Sequence, residues 1–203
     1  MESPRRSLAP FRERVQELMA DAKSRPFVCD GSPLACSVFI VGFNPATEMD
    51  KPFWSYWSDA SGFDKATFMR DYLVKRGLQE PKGVRARIER IVAQLPKGAC
   101  LETNICSKPT KTAAELQPGE RTTAIFRLLL DSIRPRLVYV HSNDPIAYFE
   151  RLTGTTGFDS GSPKTGSVDG SSFRVLGTRG PLFRMGFAQA EELGRQIRSA
   201  VAP

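Results

Sequence analysis

Short apolar runs that alternate with helical patterns are the feature that most constrains the fold of this chain. Residues 38–41, Val-Phe-Ile-Val, form a β-branched and aromatic run between Pro33 and Gly42, which is typical of a strand buried in a sheet. Similar runs occur at 99–105, 137–140 and 173–176. Apolar residues at helical spacing lie between and after them, at 64–76, 84–95, 121–133, 144–152 and 190–201. This alternation predicts an α/β fold, a single three-layer αβα domain whose central, mostly parallel sheet has four strands.

The N-terminal segment has a helical pattern of its own. Its apolar residues recur at helical spacing over 7–24, so we predict an amphipathic helix that ends before Pro26. We expect residues 1–27 to pack as this helix on a domain formed by residues 28–203. A chain of 203 residues is long enough for one domain to bury its own core.

The remaining local patterns predict loops, a cap and a solvated face. Residues 27–36 read as a loop, and the Gly-, Ser- and Thr-rich segment 153–172 reads as a long flexible loop or hairpin. Asp144 precedes a helical pattern and is the expected N-cap. The helix at 84–95 carries Arg85 and further charged residues opposite its apolar positions, which indicates a solvated surface.

The charge balance favours a polyanionic partner. The formal net charge is +7 and the sequence pI is about 9.5. A hydrophobic content of 40% and a charged content of 25% are ordinary for a globular protein and exclude disorder throughout. No stretch approaches the roughly 20 apolar residues of a membrane span, and the N-terminus lacks the apolar centre of a signal peptide. We therefore expect a cytoplasmic protein with no membrane partner.

The chain has four cysteines, at positions 29, 36, 100 and 106, and no Cys-x-x-Cys motif. Zinc and iron–sulfur sites normally use more closely spaced ligands. We expect reduced, free thiols, no metal and no other cofactor.

Polar segments follow three of the expected strands: Gly-Phe-Asn-Pro at 42–45, a longer segment at 102–116, and Thr-Arg-Gly-Pro-Leu at 178–182. Ligands of open α/β sheets bind beyond the carboxyl ends of the strands, so these segments are expected to converge on one crevice. Asn44 and Asn104 come directly after their strands and are candidate binding residues. A turn that merely ends the strand is the alternative reading of Gly-Phe-Asn-Pro.

In order and content, these motifs resemble those of the uracil-DNA glycosylase superfamily over most of residues 38–197. The Gly-Phe-Asn-Pro turn at 42–45 looks like the Gly-x-Asn-Pro turn of the mismatch-specific and single-strand-selective branches. The segment 102–116 is similar to the family's strand that delivers an asparagine into a proline-rich loop. Residues 178–197 are similar to its last motif and closing helix. The resemblance implies the α/β fold of that family and base excision from DNA.

The resemblance also implies roles for single residues. Asn44 would position or activate the water that attacks the anomeric carbon of the sugar, and Asn104 would hydrogen-bond the uracil edge. Phe53 or Trp54 would stack on the flipped base. The base-binding turn would be completed by Gly42, Phe43 and Pro45.

The last motif departs from the family pattern. Thr178 stands where the family has a catalytic histidine and is, with Asn44, a candidate catalytic residue. The adjacent Arg179 is a candidate cationic donor or phosphate ligand. We interpret His141, the sole histidine, as a wall of the crevice rather than a catalytic group. Candidate DNA contacts lie in loops on the crevice side or before a helix N-terminus: Lys108, Lys111, Ser142, Arg179 and Arg184. Simple solvation of these side chains is the alternative.

These features predict a DNA glycosylase that flips uracil or another deaminated base out of single- or double-stranded DNA and hydrolyses its N-glycosidic bond. DNA would be the partner, a free nucleobase the product, and the protein a monomer. The alternative is a catalytically silent protein on the same fold that binds nucleic acid or a nucleobase. An unrelated nucleotide-binding enzyme is disfavoured, since the sequence has neither a G-x-G-x-x-G nor a P-loop motif.

Overall fold

The computed structural model describes residues 7–202. Its strands are β1 (Phe27–Cys29), β2 (Val38–Gly42), β3 (Trp57–Ser58), β4 (Gly62–Phe63), β5 (Cys100–Asn104), β6 (Leu137–His141), β7 (Lys164–Val168) and β8 (Ser171–Thr178). Its α-helices are α1 (Leu8–Glu17), α2 (Lys65–Lys75), α3 (Gly83–Val92), α4 (Ala124–Ile133), α5 (Asn143–Thr153) and α6 (Phe187–Val201). The α/β class expected from the sequence is confirmed.

The main sheet of the described residues has six strands in the order β1-β5-β2-β6-β8-β7. Strands β5, β2, β6 and β8 are parallel, while β1 and β7 are antiparallel edge strands. The expectation of four strands is therefore wrong: those four strands form only the centre of a mixed sheet. Residues 27–36, expected as a loop, contain β1, and residues 153–172 supply β7 to a hairpin with β8. Strand β7 has no apolar strand pattern, and β1 is an apolar run of only three residues. Hydrogen bonds to a neighbouring strand are what make each of them an edge strand.

Helices cover both faces of this sheet, because the side chains of each central strand alternate between two apolar clusters. Val38 and Ile40 face a cluster built with α3 and α6, whereas Phe39 and Val41 face one built with α1, α4 and α5. Helix α6 approaches α3 closely at Gly194, where a Cβ atom would lie 2.6 Å from the carbonyl oxygen of Ile91. This contact fixes α3, the helix that brings Arg85 to the sheet.

Helix α1 is shorter than the expected 7–24, since it ends at Glu17. The carboxylate of Asp21 accepts hydrogen bonds from the backbone N–H groups of Lys23 and Ser24, both at 2.8 Å. Such local bonds compete with helical ones and turn the chain away. Phe11 and Val15 nevertheless bury the helix against the same core as the sheet.

Helix α5 begins at Asn143 with Ser142 as its N-cap, so the expectation that Asp144 caps it is wrong. Ser142 has a φ of 77°, in the left-handed region that residues other than glycine rarely adopt. This conformation accompanies a hydrogen bond from its backbone N–H to the carbonyl oxygen of Thr178, at 2.9 Å. The bond ties the start of α5 to the end of β8.

The cysteines are free and buried. Burial raises the pKa of the Cys29 and Cys100 thiols well above its usual value, which keeps them protonated and poorly nucleophilic. None of the helices of residues 7–202 is long and apolar enough to cross a membrane.

Candidate functional site

A cavity of about 260 Å³ lies at the carboxyl ends of the three neighbouring parallel strands β5, β2 and β6. The last residue of each strand lines it: Asn104, Gly42 and His141. Two of the three polar segments, those that begin at β2 and β5, therefore meet as expected. Five other segments complete the wall. They contribute Phe43 and Asn44 from the turn after β2, Arg25 from the segment before β1, Tyr72 from α2, Arg85 from α3 and Ser142 from the start of α5.

Gly42 keeps the floor of the cavity open. A Cβ atom built on Gly42 would lie 2.7 Å from Asn104 Oδ1 and 3.3 Å from Cε1 and Nε2 of His141. The first distance is shorter than a van der Waals contact, so any larger residue at this position would displace Asn104. The absence of a side chain at Gly42 is thus what leaves space between Asn104 and His141.

The Gly-Phe-Asn-Pro turn is fixed to the loop that follows β5. Backbone hydrogen bonds join Ile105 to Gly42, Cys106 to Phe43 and Thr110 to Pro45, at 2.8–3.0 Å. These bonds tie the two polar segments together, so the positions of Asn44 and Asn104 are set by one rigid unit.

Asn44 is oriented by Thr110. Its Nδ2 donates to Thr110 Oγ1 at 2.7 Å and to the Thr110 carbonyl oxygen at 3.0 Å. Because the amide nitrogen is held there, the carbonyl oxygen Oδ1 is the atom left to accept a hydrogen bond in the cavity. An amide oxygen in this position can orient a water molecule.

The side chain of Asn104, unlike that of Asn44, is not held by a neighbouring residue of the described part of the chain. Within residues 7–202 its side chain makes no hydrogen bond, although the residue is half-buried and lines the cavity. Its amide offers both a donor and an acceptor. A half-buried amide without a protein partner is suited to recognise the polar edge of a ligand.

His141 lies beside Asn104 and is neutral at pH 7. Burial lowers its pKa to about 4, against the opposing effect of Glu102. Its Nδ1 is 3.4 Å from Ser142 Oγ. A neutral imidazole carries one N–H donor and one acceptor, so His141 contributes polarity to the cavity without charge.

A buried network of charges borders the cavity, which Arg85 and Glu102 line. Arg85 forms an ion pair with Glu102, and Lys65 Nζ lies 3.1 Å from Glu102 Oε1. Glu89 accepts from both cations, at 3.2 Å from Arg85 Nη1 and 3.0 Å from Lys65 Nζ. Burial disfavours the Glu102 carboxylate, but Arg85 and Lys65 outweigh that effect and hold its pKa below the usual range. The expectation of a solvated face at Arg85 is therefore wrong, because the Glu102 carboxylate, buried within β5, needs a partner.

Arg25 is the exception among these cations. Its Nη1 donates to the carbonyl oxygen of Thr47 at 3.5 Å, and its Cζ lies 5.8 Å from the centre of the Phe68 ring. No carboxylate of residues 7–202 forms an ion pair with it. Burial and the charge of Arg85 lower its pKa to about 10, so it stays protonated at pH 7.

Phe53 and Trp54, the expected stacking residues, do not line the cavity. Phe53 is buried between Phe27 and Phe63, with ring centres 5.0 and 5.3 Å away. Trp54 packs edge-to-face on Phe53 at 4.8 Å. Phe53 lies in the apolar core and Trp54 packs against it. These positions do not fit the expectation that one of the two rings stacks on a base.

Three other aromatic residues do line the cavity, Phe27, Phe43 and Tyr72. The Tyr72 ring lies 5.6 Å from Arg85 Cζ and is stacked on Phe68 at 6.3 Å between ring centres. Phe43 was expected at the site from its motif. Tyr72 was not, because its place on α2 suggests only a core position.

The last polar segment lies elsewhere. Thr178, Arg179 and Arg184 line a separate, more open pocket of about 610 Å³ with Gln189 of α6. Thr178 therefore does not occupy a catalytic position in the cavity. Arg179 is bound to Asp159 at 2.5 Å and lies 3.7 Å from Glu150, so its charge is largely neutralised.

The lysines expected to contact DNA differ in availability. Lys108 Nζ is 2.6 Å from Asp21 Oδ2, a bond that raises its pKa and occupies its charge. Lys111 forms no ion pair within residues 7–202 and lines a shallow pocket with Arg76. That pocket shares Ala46 and Thr47 with the cavity, so Lys111 and Arg76 line a neighbouring pocket.

No group of three or more His, Cys, Asp or Glu side chains in the described part of the chain is placed to hold a metal ion. A scan against models of known protein families finds no match to the chain, and a search of curated proteins finds none either.

Proposed function

We propose that this protein is a DNA glycosylase that hydrolyses the N-glycosidic bond of uracil or another deaminated base after base flipping. The observation that carries the proposal is the meeting of Asn44 and Asn104 in one small cavity at the carboxyl ends of β2 and β5. One amide has its nitrogen held and its oxygen left over, and the other has no protein partner in the described residues. The two are thus suited to different tasks.

Recognition of the base falls to Asn104. Uracil presents carbonyl oxygens and an N–H on its Watson–Crick edge, and an amide side chain matches such an edge with one donor and one acceptor. The neutral imidazole of His141 adds a further hydrogen-bonding group beside it. Phe43 and Tyr72 supply aromatic surface for the faces of the base. A cavity of about 260 Å³ suits one base rather than a whole nucleotide, so the base must leave the stack to enter.

Attack on the sugar falls to Asn44. The transition state of glycosidic cleavage resembles an oxocarbenium ion, so a well-placed water can attack without a strong base. Asn44 Oδ1 orients such a water, while Thr110 fixes the amide through two hydrogen bonds. The fixed geometry contributes by holding the water near the anomeric carbon.

The basic surface beside the cavity is suited to the DNA backbone. The chain carries a formal net charge of +7, and Lys111 and Arg76 line a pocket that shares Ala46 and Thr47 with the cavity. Phosphate contacts of this kind position a nucleic acid without reading its sequence.

The proposal is tested with oligonucleotides that contain uracil, hypoxanthine or xanthine, single- and double-stranded, followed by alkaline cleavage of abasic sites. We expect strand scission for at least one base, its loss in Asn44→Ala, and its retention in Asn143→Ala. Asn143 is the matched control because it is an exposed asparagine outside the cavity. Retention of DNA without scission for any base would refute the hydrolase.

That outcome would favour the second candidate, a protein on this fold that binds nucleic acid or a nucleobase without chemistry. One observation supports it: Thr178, which stands in place of the family's histidine, lies outside the cavity. The single carboxylate among the lining residues, Glu102, is held by Arg85 and Lys65 and is poorly placed to act as a base.

A further inference from the structure

We infer that Arg25 is the cation that meets the negative charge of the departing base, and hence that the ligand of this cavity is a base that leaves as an anion stabilised by its carbonyl oxygens. This inference rests on the proposed function and deepens it. It gives the electrostatic role of the family's histidine to a residue far from the last motif. Three properties of Arg25 suit it to this role: its position, its pairing and its charge.

The backbone of Arg25 is fixed to the element that carries Asn104. Its N–H donates to the carbonyl oxygen of Ser107 at 2.9 Å. The next residue, Pro26, accepts a hydrogen bond from Thr103 Oγ1 at 2.7 Å. Since Thr103 directly precedes Asn104, the backbones of Arg25 and Asn104 belong to one hydrogen-bonded unit.

The guanidinium of Arg25 has no ion-pair partner among residues 7–202. Lys65 and Arg85 share the carboxylates of Glu89 and Glu102, so these four groups balance one another. Arg25 adds one positive charge in excess, and its side-chain hydrogen bond is the long one to Thr47. Arg25 is half-buried, and charges that are removed from water are normally paired, because an isolated ion loses its hydration. A guanidinium with unused N–H donors on the wall of a cavity is therefore suited to an anionic or electron-rich oxygen of a ligand.

Glycosidic hydrolysis generates such an oxygen. The bond between the anomeric carbon and the base nitrogen breaks, and its electron pair leaves with the base. Water adds to the anomeric carbon and loses a proton, which is finally taken up by the base anion. The negative charge of the base is spread over its carbonyl oxygens, and a fixed cation beside them lowers the barrier.

The charge of Arg25 persists over the range in which the test is made. The groups that face it are Arg85, which lowers its pKa, and Glu102 and Tyr72, which raise it, with burial as the largest effect. The resulting pKa of about 10 leaves Arg25 protonated up to about pH 9. His141, with a pKa of about 4, stays neutral throughout this range.

The test measures binding of the free base 5-fluorouracil by isothermal titration calorimetry at about pH 6.5 and pH 9. This base is neutral at the lower pH and largely an anion at the higher one. We expect the affinity of the wild-type protein to increase with pH. In Arg25→Met the affinity at pH 9 should fall about tenfold or more, and the increase should vanish. Arg25→Lys should retain part of it.

The control is Arg12→Met. The guanidinium of Arg12 also lies over an aromatic ring, with its Cζ 5.5 Å from the centre of Trp54, but Arg12 does not line the cavity. This variant should bind as the wild type does. An unchanged increase in Arg25→Met, equal loss of binding in Arg25→Lys and Arg25→Met, or no binding of 5-fluorouracil by the wild type would overturn the inference.

Because this test needs no cleavage, its outcome is separate from that of the hydrolase assay. A protein that binds the anion through Arg25 yet cuts no oligonucleotide would refute the proposed function and keep the inference. Where cleavage occurs, Arg25→Met should slow release of uracil more than release of 5-fluorouracil, because the more acidic base needs less stabilisation as it leaves. Equal slowing of both would indicate a structural role and overturn the inference.

Discussion

Substitution of Gly42 by alanine separates the fold of this protein from its site. The added Cβ would stand 2.7 Å from Asn104 Oδ1 and 3.3 Å from two atoms of the His141 ring. The oxygen is the end of a flexible side chain, so Asn104 can turn away, at a cost of about 0.5–1.5 kcal/mol for an unfavourable rotamer. Replacing a strand glycine by alanine returns about 0.5–1 kcal/mol through the unfolded chain. The free energy of unfolding should therefore change by no more than about 1 kcal/mol.

Base recognition should suffer much more. Gly42→Ala fills the space between Asn104 and His141 and removes the Asn104 amide from its position. Each hydrogen bond lost between the protein and the base costs about 0.5–1.5 kcal/mol, and a buried group of the base left unpaired costs about 1–3 kcal/mol. We expect cleavage and binding of 5-fluorouracil to fall about ten- to a hundredfold.

The two quantities are measured by urea denaturation and by the alkaline cleavage assay on the same preparation. Gly119→Ala is the matched control, because a Cβ at Gly119 would meet nothing within 4 Å and the residue lies outside the cavity. Wild-type cleavage in Gly42→Ala would refute the assignment of Asn104 as the base-reading residue. A loss of several kcal/mol in unfolding would instead show that Gly42 serves the fold.

Three further predictions concern charge. Glu102→Gln should lower the free energy of unfolding, measured in urea at pH 7, by about 3–5 kcal/mol, because it breaks a buried ion pair. Since the pKa of Glu102 is depressed in the folded state, the stabilisation is present above the usual glutamate pKa of 4.5 and is lost as the pH falls through the folded pKa. His141 has a pKa of about 4 in the folded state and 6.5 in the unfolded one, so stability should fall as the pH drops from 6.5 to 4. His141→Gln should remove this contribution to the loss of thermal stability between pH 6.5 and pH 4. Lys111→Ala should weaken oligonucleotide binding severalfold and reduce by about 1 the slope of log K against log salt concentration. Lys97 precedes β5, at the end of that strand away from the cavity, so Lys97→Ala should change neither quantity. Equal effects of the two substitutions would argue against Lys111 as a phosphate contact.

Asn44 and Asn104 show how much of the site follows from sequence. Each comes directly after or at the end of an apolar run, and parallel strands end at the same edge of a sheet. Their meeting could thus be predicted from local patterns alone. Thr178 is likewise a polar residue at the end of a parallel strand, β8, yet it lines a different pocket. Strand β8 is two positions away from β2 in the sheet, and that order is not written in any local pattern.

Arg25, Tyr72 and Arg85 show what local patterns miss. They reach the cavity from the segment before β1, from α2 and from α3, so their sequence positions are far from either asparagine. One signal was present: Glu102 interrupts an otherwise apolar strand, and a buried carboxylate needs cations. Which cations lie near the Glu102 carboxylate depends on how α3 packs on α6 and on where the chain enters β1.

By itself, the sequence determined the α/β class, the four central strands and the asparagines at two of their ends, because hydrophobic periodicity and turn chemistry act over a few residues. Only the tertiary structure decided that the sheet has six strands with antiparallel edges, that Phe53 belongs to the core with Trp54 packed against it, and that Arg25 is left without a carboxylate partner among residues 7–202. These features depend on hydrogen bonds and charge pairs between distant segments. Such contacts exist only once the chain has folded.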